Sequence, residues 1–223
     1  MVLMELREVS FSYPEQPVFH GLSFRLRRGE RVGIVGPNGS GKTTLLHLLV
    51  GLVKPQAGEV WAFGRPRVTE EDFQEVRRRV GLVFQDPDDQ LFCPTVVEDV
   101  AFGPLNLGAS PEEARRIAAE TLRLLGLENL EDRLVHRLSG GQKRLVAIAG
   151  VLAMRPEVLL LDEPTGDLDP SNASRLVELL RSRAISCVVV SHEVGFLREV
   201  CTQLLCLRDG ALCPLGEPES VRG

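Results

Sequence analysis

No stretch of this 223-residue chain approaches the ~18 consecutive apolar residues that a membrane-crossing helix needs. Its first residues, Met1-Val2-Leu3-Met4-Glu5, lack a leader-peptide pattern. The chain is therefore expected to be cytosolic, with any membrane role exerted through a partner. The five cysteines, at 93, 187, 201, 206 and 213, are odd in number and form no C-x-x-C pair. That argues against a disulfide framework and against a thiolate zinc site. An excess of basic charge is also missing. The formal charge is −5 and the isoelectric point about 5.5, which weighs against a dedicated nucleic-acid binder. Internal repeats and low-complexity tracts are absent, so a solenoid or a disordered linker is not expected. Aromatic residues are scarce, and Tyr13 is the single tyrosine. What remains fits one domain with a sizeable buried core.

The stretch Gly36-Pro37-Asn38-Gly39-Ser40-Gly41-Lys42-Thr43-Thr44 organises the rest. It fits G-x-x-x-x-G-K-[ST], the phosphate-binding P-loop. The apolar run Arg31–Val35 before it suits a buried strand, and Leu45–Leu49 after it suits a helix ending near Gly51. Glycines let the backbone aim N–H groups at phosphate oxygens, and the following helix adds its positive end. Lys42 is expected at the β- and γ-phosphates of ATP, and the Thr43 hydroxyl on Mg²⁺.

Along the chain, Val2 to Val9 reads as a strand, and Leu22–Leu26 as another, with Phe11-Ser12-Tyr13-Pro14 between them. Glu59–Phe63 reads as a further strand. Glu70–Arg79 is helix-like, and its Arg77-Arg78-Arg79 run is expected to be a solvated face. Val80–Phe84 is a buried strand delivering Gln85 into a loop. Thr95-x-x-Glu98 is a capping box, and Ser110-Pro111-Glu112-Glu113 opens a helix that ends near Gly126. Residues 86 to 155 thus read as mainly helical, inserted between strand-rich halves. After Leu138-Ser139-Gly140-Gly141-Gln142 comes the helical run Lys143 to Met154. Val158–Leu161 is an apolar strand ending in Asp162-Glu163. Asp169-Pro170 starts a helix, and Ile185–Val190 is a strand ending at Ser191-His192. Asp209-Gly210 joins the last hairpin. Strands alternating with helices around a P-loop predict a mostly parallel sheet in an α/β fold. His20, His47 and His136 are expected in packing or surface roles.

With the string at 138–142 between a P-loop and an apolar strand ending in Asp-Glu, the chain resembles the ATP-binding cassette (ABC) ATPases over essentially its whole length. The resemblance implies one P-loop NTPase domain over 1–223. A mostly parallel RecA-like core sheet and an N-terminal antiparallel β subdomain would fill 1–85 and 156–223, with an inserted helical lobe over 86–155. It implies roles residue by residue. Gly36, Asn38, Gly39, Ser40, Gly41, Lys42, Thr43 and Thr44 would bind ATP, with Tyr13 stacking on the adenine. Thr43, Gln85 and Asp162 would hold Mg²⁺. Glu163 would act as general base on the attacking water, and His192 would contact the γ-phosphate, so that Glu163, His192 and Lys42 form the catalytic set. Ser139, Gly140, Gly141 and Gln142 would bind the ATP held by the P-loop of a second cassette, an identical chain or a close paralogue, in a head-to-tail dimer. Asp167, between Gly166 and Leu168, departs from the small residue or glycine common there.

Asp86-Pro87-Asp88-Asp89-Gln90-Leu91-Phe92, together with Thr95-Val96 and Glu98–Pro104, is similar to the cobalt-type, energy-coupling-factor group of importers, as is Lys143–Ala153. That similarity implies a peripheral subunit on the cytoplasmic face of the membrane, serving a scaffold subunit and a substrate-binding membrane subunit, with no nucleic-acid partner. The cargo would be cobalt, nickel or a vitamin. The alternatives are a conventional ABC importer ATPase or a non-transport ABC ATPase. Phe92 and its apolar neighbours would either line a docking groove or pack locally.

Overall fold

The computed structural model describes residues 1–182 and 185–215, so the remainder of the domain expected over 1–223 lies outside the described residues. Two sheets carry the chain. β1 (Val2–Tyr13), β2 (Gln16–Arg27), β4 (Ala57–Ala62) and β5 (Arg65–Arg67) form an antiparallel sheet in the order β2-β1-β4-β5. β3 (Arg31–Val35), β6 (Val80–Val83), β7 (Val158–Asp162), β8 (Ser186–Val190), β9 (Gln203–Arg208) and β10 (Ala211–Pro214) form the second, ordered β10-β9-β3-β8-β7-β6. Its strands run parallel except for β10, which folds back on β9 through Asp209 and Gly210 at φ 51° and 73°. Both residues are left-handed, as a two-residue hairpin turn requires.

The parallel sheet is buried on both faces, which explains the uninterrupted apolar runs of its strands. Leu159 and Leu161 of β7 enter one core, shared with the helices after β6. Val158 and Leu160 enter the other, shared with the antiparallel sheet and the helix after the P-loop. Cys187 and Val189 against Val188 and Val190 repeat the alternation on β8. Between residues 86 and 155 the regular elements are α3 (Val96–Asn106), α4 (Pro111–Leu124), α5 (Gly140–Ala153) and short 3₁₀ turns, and no strand of either sheet falls there. The remaining helices are α1 (Lys42–Leu49), α2 (Glu70–Arg79), α6 (Pro170–Ser182) and α7 (Val194–Val200).

Two expectations are corrected. The first strand continues past Val9 to Tyr13, and the second begins at Gln16 rather than Leu22. Register shifts between Leu6 and Val9, with Glu8 at φ 48°, mark a bulge that resets the inside–outside alternation, so Val9 and Phe11 are both buried. The arginine run on α2 is not simply a solvated face. Arg79 stacks 3.5 Å over the Phe63 ring and donates to Glu157 at 2.7 Å, while Arg77 donates to the Val50 carbonyl at 3.0 Å. These contacts join α2 to the ends of α1 and β4 and to the start of β7, leaving Arg78 exposed.

Candidate functional site

In a parallel sheet every strand delivers its C-terminal residues to one edge, and in α/β folds ligands bind at that edge where strand order reverses. Here β3 is flanked by β8 on one side and β9 on the other, and the Gly36–Gly41 loop follows it. The register pairs Asp162 with Val190, so the residues just beyond these two strands, Glu163 and Ser191-His192, meet side by side. Glu163 N donates to Val190 O at 2.9 Å. The His192 ring Nδ1 lies 2.9 Å from a Glu163 carboxylate oxygen. Glu163 has φ 46°, an uncommon left-handed setting at the strand end that turns the chain away from β7.

The loop ends in Gly41 at φ 97°, where a Cβ would come within 2.6 Å of Val18. Only glycine both accepts this turn and fits beneath β2. Lys42 is buried, and its Nζ donates to the carbonyls of Gly36 and Pro37 at 2.9 and 3.0 Å. Ser40 Oγ is buried with no hydrogen-bond partner among the described residues. Thr43 Oγ1 donates to Asp162 Oδ2 at 2.6 Å. Burial pushes the Asp162 carboxyl above the usual range; the Thr43 bond opposes this and the neighbouring Glu163 charge adds to it. Tyr13 is 40% exposed, stands edge-on to Phe11 and lies 3.3 Å, hydroxyl to hydroxyl, from Thr44.

Two cavities meet here. One of about 330 Å³ is lined by Tyr13, Asn38, Lys42, Thr44 and Gln85. The other, about 640 Å³, is lined by His47, Gln85, Arg144, Asp167 and His192. Asn38, Thr43, Gln85, Asp162 and Glu163 border both. The sequence-predicted residues Tyr13, Asn38, Gly39, Gly41, Lys42, Thr43, Thr44, Gln85, Asp162, Glu163 and His192 are thus brought together, while Gly36 and Ser40 of the same loop line neither cavity. A cleft of about 680 Å³ on the antiparallel sheet, lined by Glu5, Arg7 and Arg25, shares no residue with them. Ser139 to Gln142 also line neither cavity. Ser139 is the N-cap of α5, in a capping box in which Ser139 Oγ accepts from Gln142 N at 3.3 Å and Gln142 Oε1 accepts from Ser139 N at 3.0 Å. α5 therefore begins at Gly140, inside the motif and three residues before the expected Lys143. The Gln142 side chain is engaged in the cap, while Ser139 and Gly140 are exposed.

Sequence reasoning passed over several residues of this neighbourhood. His47, one helical turn beyond Thr43, is half-buried edge-on to Phe84 at 6.0 Å and lines the larger cavity. Gln90 accepts from Phe84 N at 3.1 Å and donates to Ala147 O at 3.0 Å, which closes the loop after Gln85 onto α5. Lys143 reaches Asp88 at 2.6 Å, and buried Arg144 donates to Gln85 O at 2.7 Å. The signal for Arg144 was a charge inside the apolar periodicity of α5, adjacent to the motif.

Residues 19–166 match the family model described as ABC transporter. The energy-coupling factor transporter ATP-binding protein EcfA of Methanothermobacter thermautotrophicus is 45% identical over 98% of this chain and 72% of its own length. Among solved structures, cbiO1 of Clostridium perfringens, part of the ABC transporter complex cbiONQ, superposes with TM-score 0.84 at 34% identity, covering 99% of this chain and 90% of that one. The cassette MJ0796, in a dimeric post-hydrolysis state bound to ADP and Pi, superposes with TM-score 0.85 at 29% identity over 97% of this chain and 100% of that one. A P-loop, an Asp-Glu strand end and a capped serine-glycine helix start, set in a chain matched this extensively, establish that it belongs to the ABC transporter family and is an ATP-hydrolysing, ATP-binding subunit of it.

Proposed function

We propose that this chain is the ATPase of an energy-coupling-factor-type importer, peripheral on the cytoplasmic face of the membrane, driving uptake of a transition metal ion such as cobalt or nickel, or of a vitamin. The observation that carries this reading is the course of residues 85 to 92. The segment leaves the catalytic cavity at Gln85 and ends with Phe92, 65% exposed, on the rim of an apolar groove of about 260 Å³. Leu52, Leu82, Phe84, Phe102 and Met154 line that groove, and Phe92 packs edge-on against Phe102 at 4.7 Å. Asp99 holds the rim by accepting from the amides of Phe92 and Cys93 at 3.0 and 2.7 Å. Among the described residues no helix is long and apolar enough to cross a membrane, so transport requires membrane subunits, and a groove continuous with the Gln85 loop suits their docking. The likeness to EcfA and to cbiO1 favours this class over a conventional importer. Phe92→Asp is expected to abolish co-purification with the membrane subunits from native membranes while nucleotide affinity is unchanged. Full association of that variant would place docking elsewhere.

In the site, Tyr13 stacks on the adenine, the Gly36–Gly41 amides and Lys42 hold the phosphates, and Glu163 takes the proton of the attacking water. His192, bonded to Glu163, orients that carboxylate and reaches the γ-phosphate. The Thr43 hydroxyl and the Asp162 carboxylate, 2.6 Å apart, are hard oxygen donors suited to Mg²⁺, with Gln85 on the same cavity wall. Bound there with ATP, Mg²⁺ would neutralise charge on the β- and γ-phosphates. Lobes of 1–85 and 156–223 would then carry catalysis, and the groove shared by the first of these with a helical lobe of 86–155 would carry docking.

The raised Asp162 carboxyl gives a stability test. A group held protonated more tightly in the folded chain contributes stability below its unfolded pKa and loses it as pH rises through the folded value. At neutral pH the ionised, buried Asp162 is therefore a cost without a cation beside it. Asp162→Asn is expected to raise the melting temperature of the nucleotide-free protein at pH 7.5. The same change should abolish the Mg²⁺-dependent part of stabilisation by ATP. Unaltered Mg²⁺ dependence in differential scanning fluorimetry would remove Asp162 from the cation site.

A further inference from the structure

Among the segments that border the larger cavity are the loop after β6 at Gln85, the turn after Glu163, and α5 at Arg144. The Arg144 side chain reaches both of the others. Arg144 is 5% exposed; its Nη1 donates to Gln85 O at 2.7 Å and its Nη2 lies 3.6 Å from Asp167 Oδ2. The turn is shaped around it. A Cβ on Gly166 would stand 3.1 Å from Arg144 Nη2, and one on Gly141 would stand 2.5 Å from the Asp167 carbonyl oxygen. Gly166 N donates to Glu163 O at 3.2 Å, so the turn that meets the guanidinium begins at Glu163 itself. Asp167 sits at φ 60°, a left-handed setting uncommon outside glycine but open to aspartate.

We propose that Arg144 is a positioning residue for ATP hydrolysis, fixing the Gln85 loop and the Glu163–Asp167 turn to one rigid point on α5 with Asp167 as its anchor. The inference rests on Glu163 and Gln85 acting at the site as described above. A planar guanidinium can donate to the Gln85 carbonyl through one nitrogen and face the Asp167 carboxylate with another at fixed spacing, which a single ammonium cannot. The left-handed setting of Asp167 then presents its carboxylate to Arg144. Arg144 lines the cavity beside Glu163 but is not needed to hold ATP, since Tyr13, Lys42 and Thr44 line the other cavity.

Asp167→Gly separates this from a merely structural role. Glycine relieves the left-handed backbone and removes the anchor together. A purely structural Asp167 would leave activity intact while the melting temperature holds or rises. The positioning role instead gives a melting temperature that holds or rises and a kcat lower by about 10- to 100-fold, the scale of an ångström-sized misplacement, with KM for Mg-ATP within about two-fold. Arg144→Lys should show the same kcat loss, and the double variant no more than either single one. The measurements are steady-state kinetics, equilibrium nucleotide binding and thermal melting on the full chain with whatever cassette accompanies it. An Asp167→Gly kcat within about two-fold of wild type, or additive losses in the double variant, overturns the proposal. Glu163→Gln is run alongside. Turnover that ignores Glu163 defeats the site reading and this inference together, whereas turnover that depends on Glu163 but not on Arg144 or Asp167 defeats this inference alone.

Discussion

Glu163→Gln is expected to retain ATP affinity and to lose turnover by about 10²–10⁴-fold, the contribution of the general base proposed at this position. The geometry makes the two effects separable. Glu163 stands at the junction of the two cavities, with 16% of its side chain exposed, held by the His192 ring at 2.9 Å. Glutamine has the same length, and its amide oxygen still accepts from an imidazole N–H, so the side chain stays in place. It cannot take a proton at neutral pH. Lys42, Thr43 and the loop amides, proposed to grip the phosphates, belong to a different segment and are left unaltered. The variant should therefore accumulate an ATP-bound dimer that wild type hydrolyses away. Steady-state phosphate release, nucleotide affinity and sedimentation on one preparation test this. Near-normal phosphate release would move the base role to His192.

Much of this site was legible because parallel strands impose simple bookkeeping. Apolar runs at 80–84, 158–161 and 185–190 each lead into a polar residue and that at 31–35 into the P-loop, and once they lie parallel those ends share an edge. The pairing of Asp162 with Val190 that brings Glu163 to His192 is a matter of register, which no single strand encodes. Harder to read were features created by the backbone or by long side chains. The bulge at Glu8 broke the alternation and hid four residues of β1. Arg77 and Arg79 looked like surface charge because their partners, Val50 O, the Phe63 ring and Glu157, are distant in sequence. Arg144 stood out as a charge inside the apolar periodicity of α5, but its role was hidden for the same reason: its partners are a backbone carbonyl 59 positions away and an aspartate beyond β7.

Ser139→Arg is expected to abolish the Mg-ATP-dependent dimer of the Glu163→Gln variant and to bring wild-type hydrolysis near background. Both P-loop cavities are lined without any residue from 139 to 142, yet Ser139 and Gly140 are exposed at the start of a 14-residue helix whose first amides have no intrahelical acceptor. A helix start of this kind favours an anion, and the chain's own P-loop cavities are built elsewhere. On the proposed reading a second cassette would supply the phosphate, an arrangement that the dimeric state of the similar cassette MJ0796 with ADP and Pi supports. An arginine at 139 fills the space in front of those amides with a long side chain. It also removes the cap, at a cost of about 0.5–2 kcal/mol. Ser139→Ala removes the cap without adding bulk, so it should lower the melting temperature comparably yet still dimerise, though more weakly. Sedimentation of both variants in the Glu163→Gln background, with and without Mg-ATP, separates lost phosphate contact from lost helix stability. If Ser139→Arg still sediments as a nucleotide-dependent dimer, the start of α5 does not face a partner's ATP, and a site complete within one chain becomes the better account.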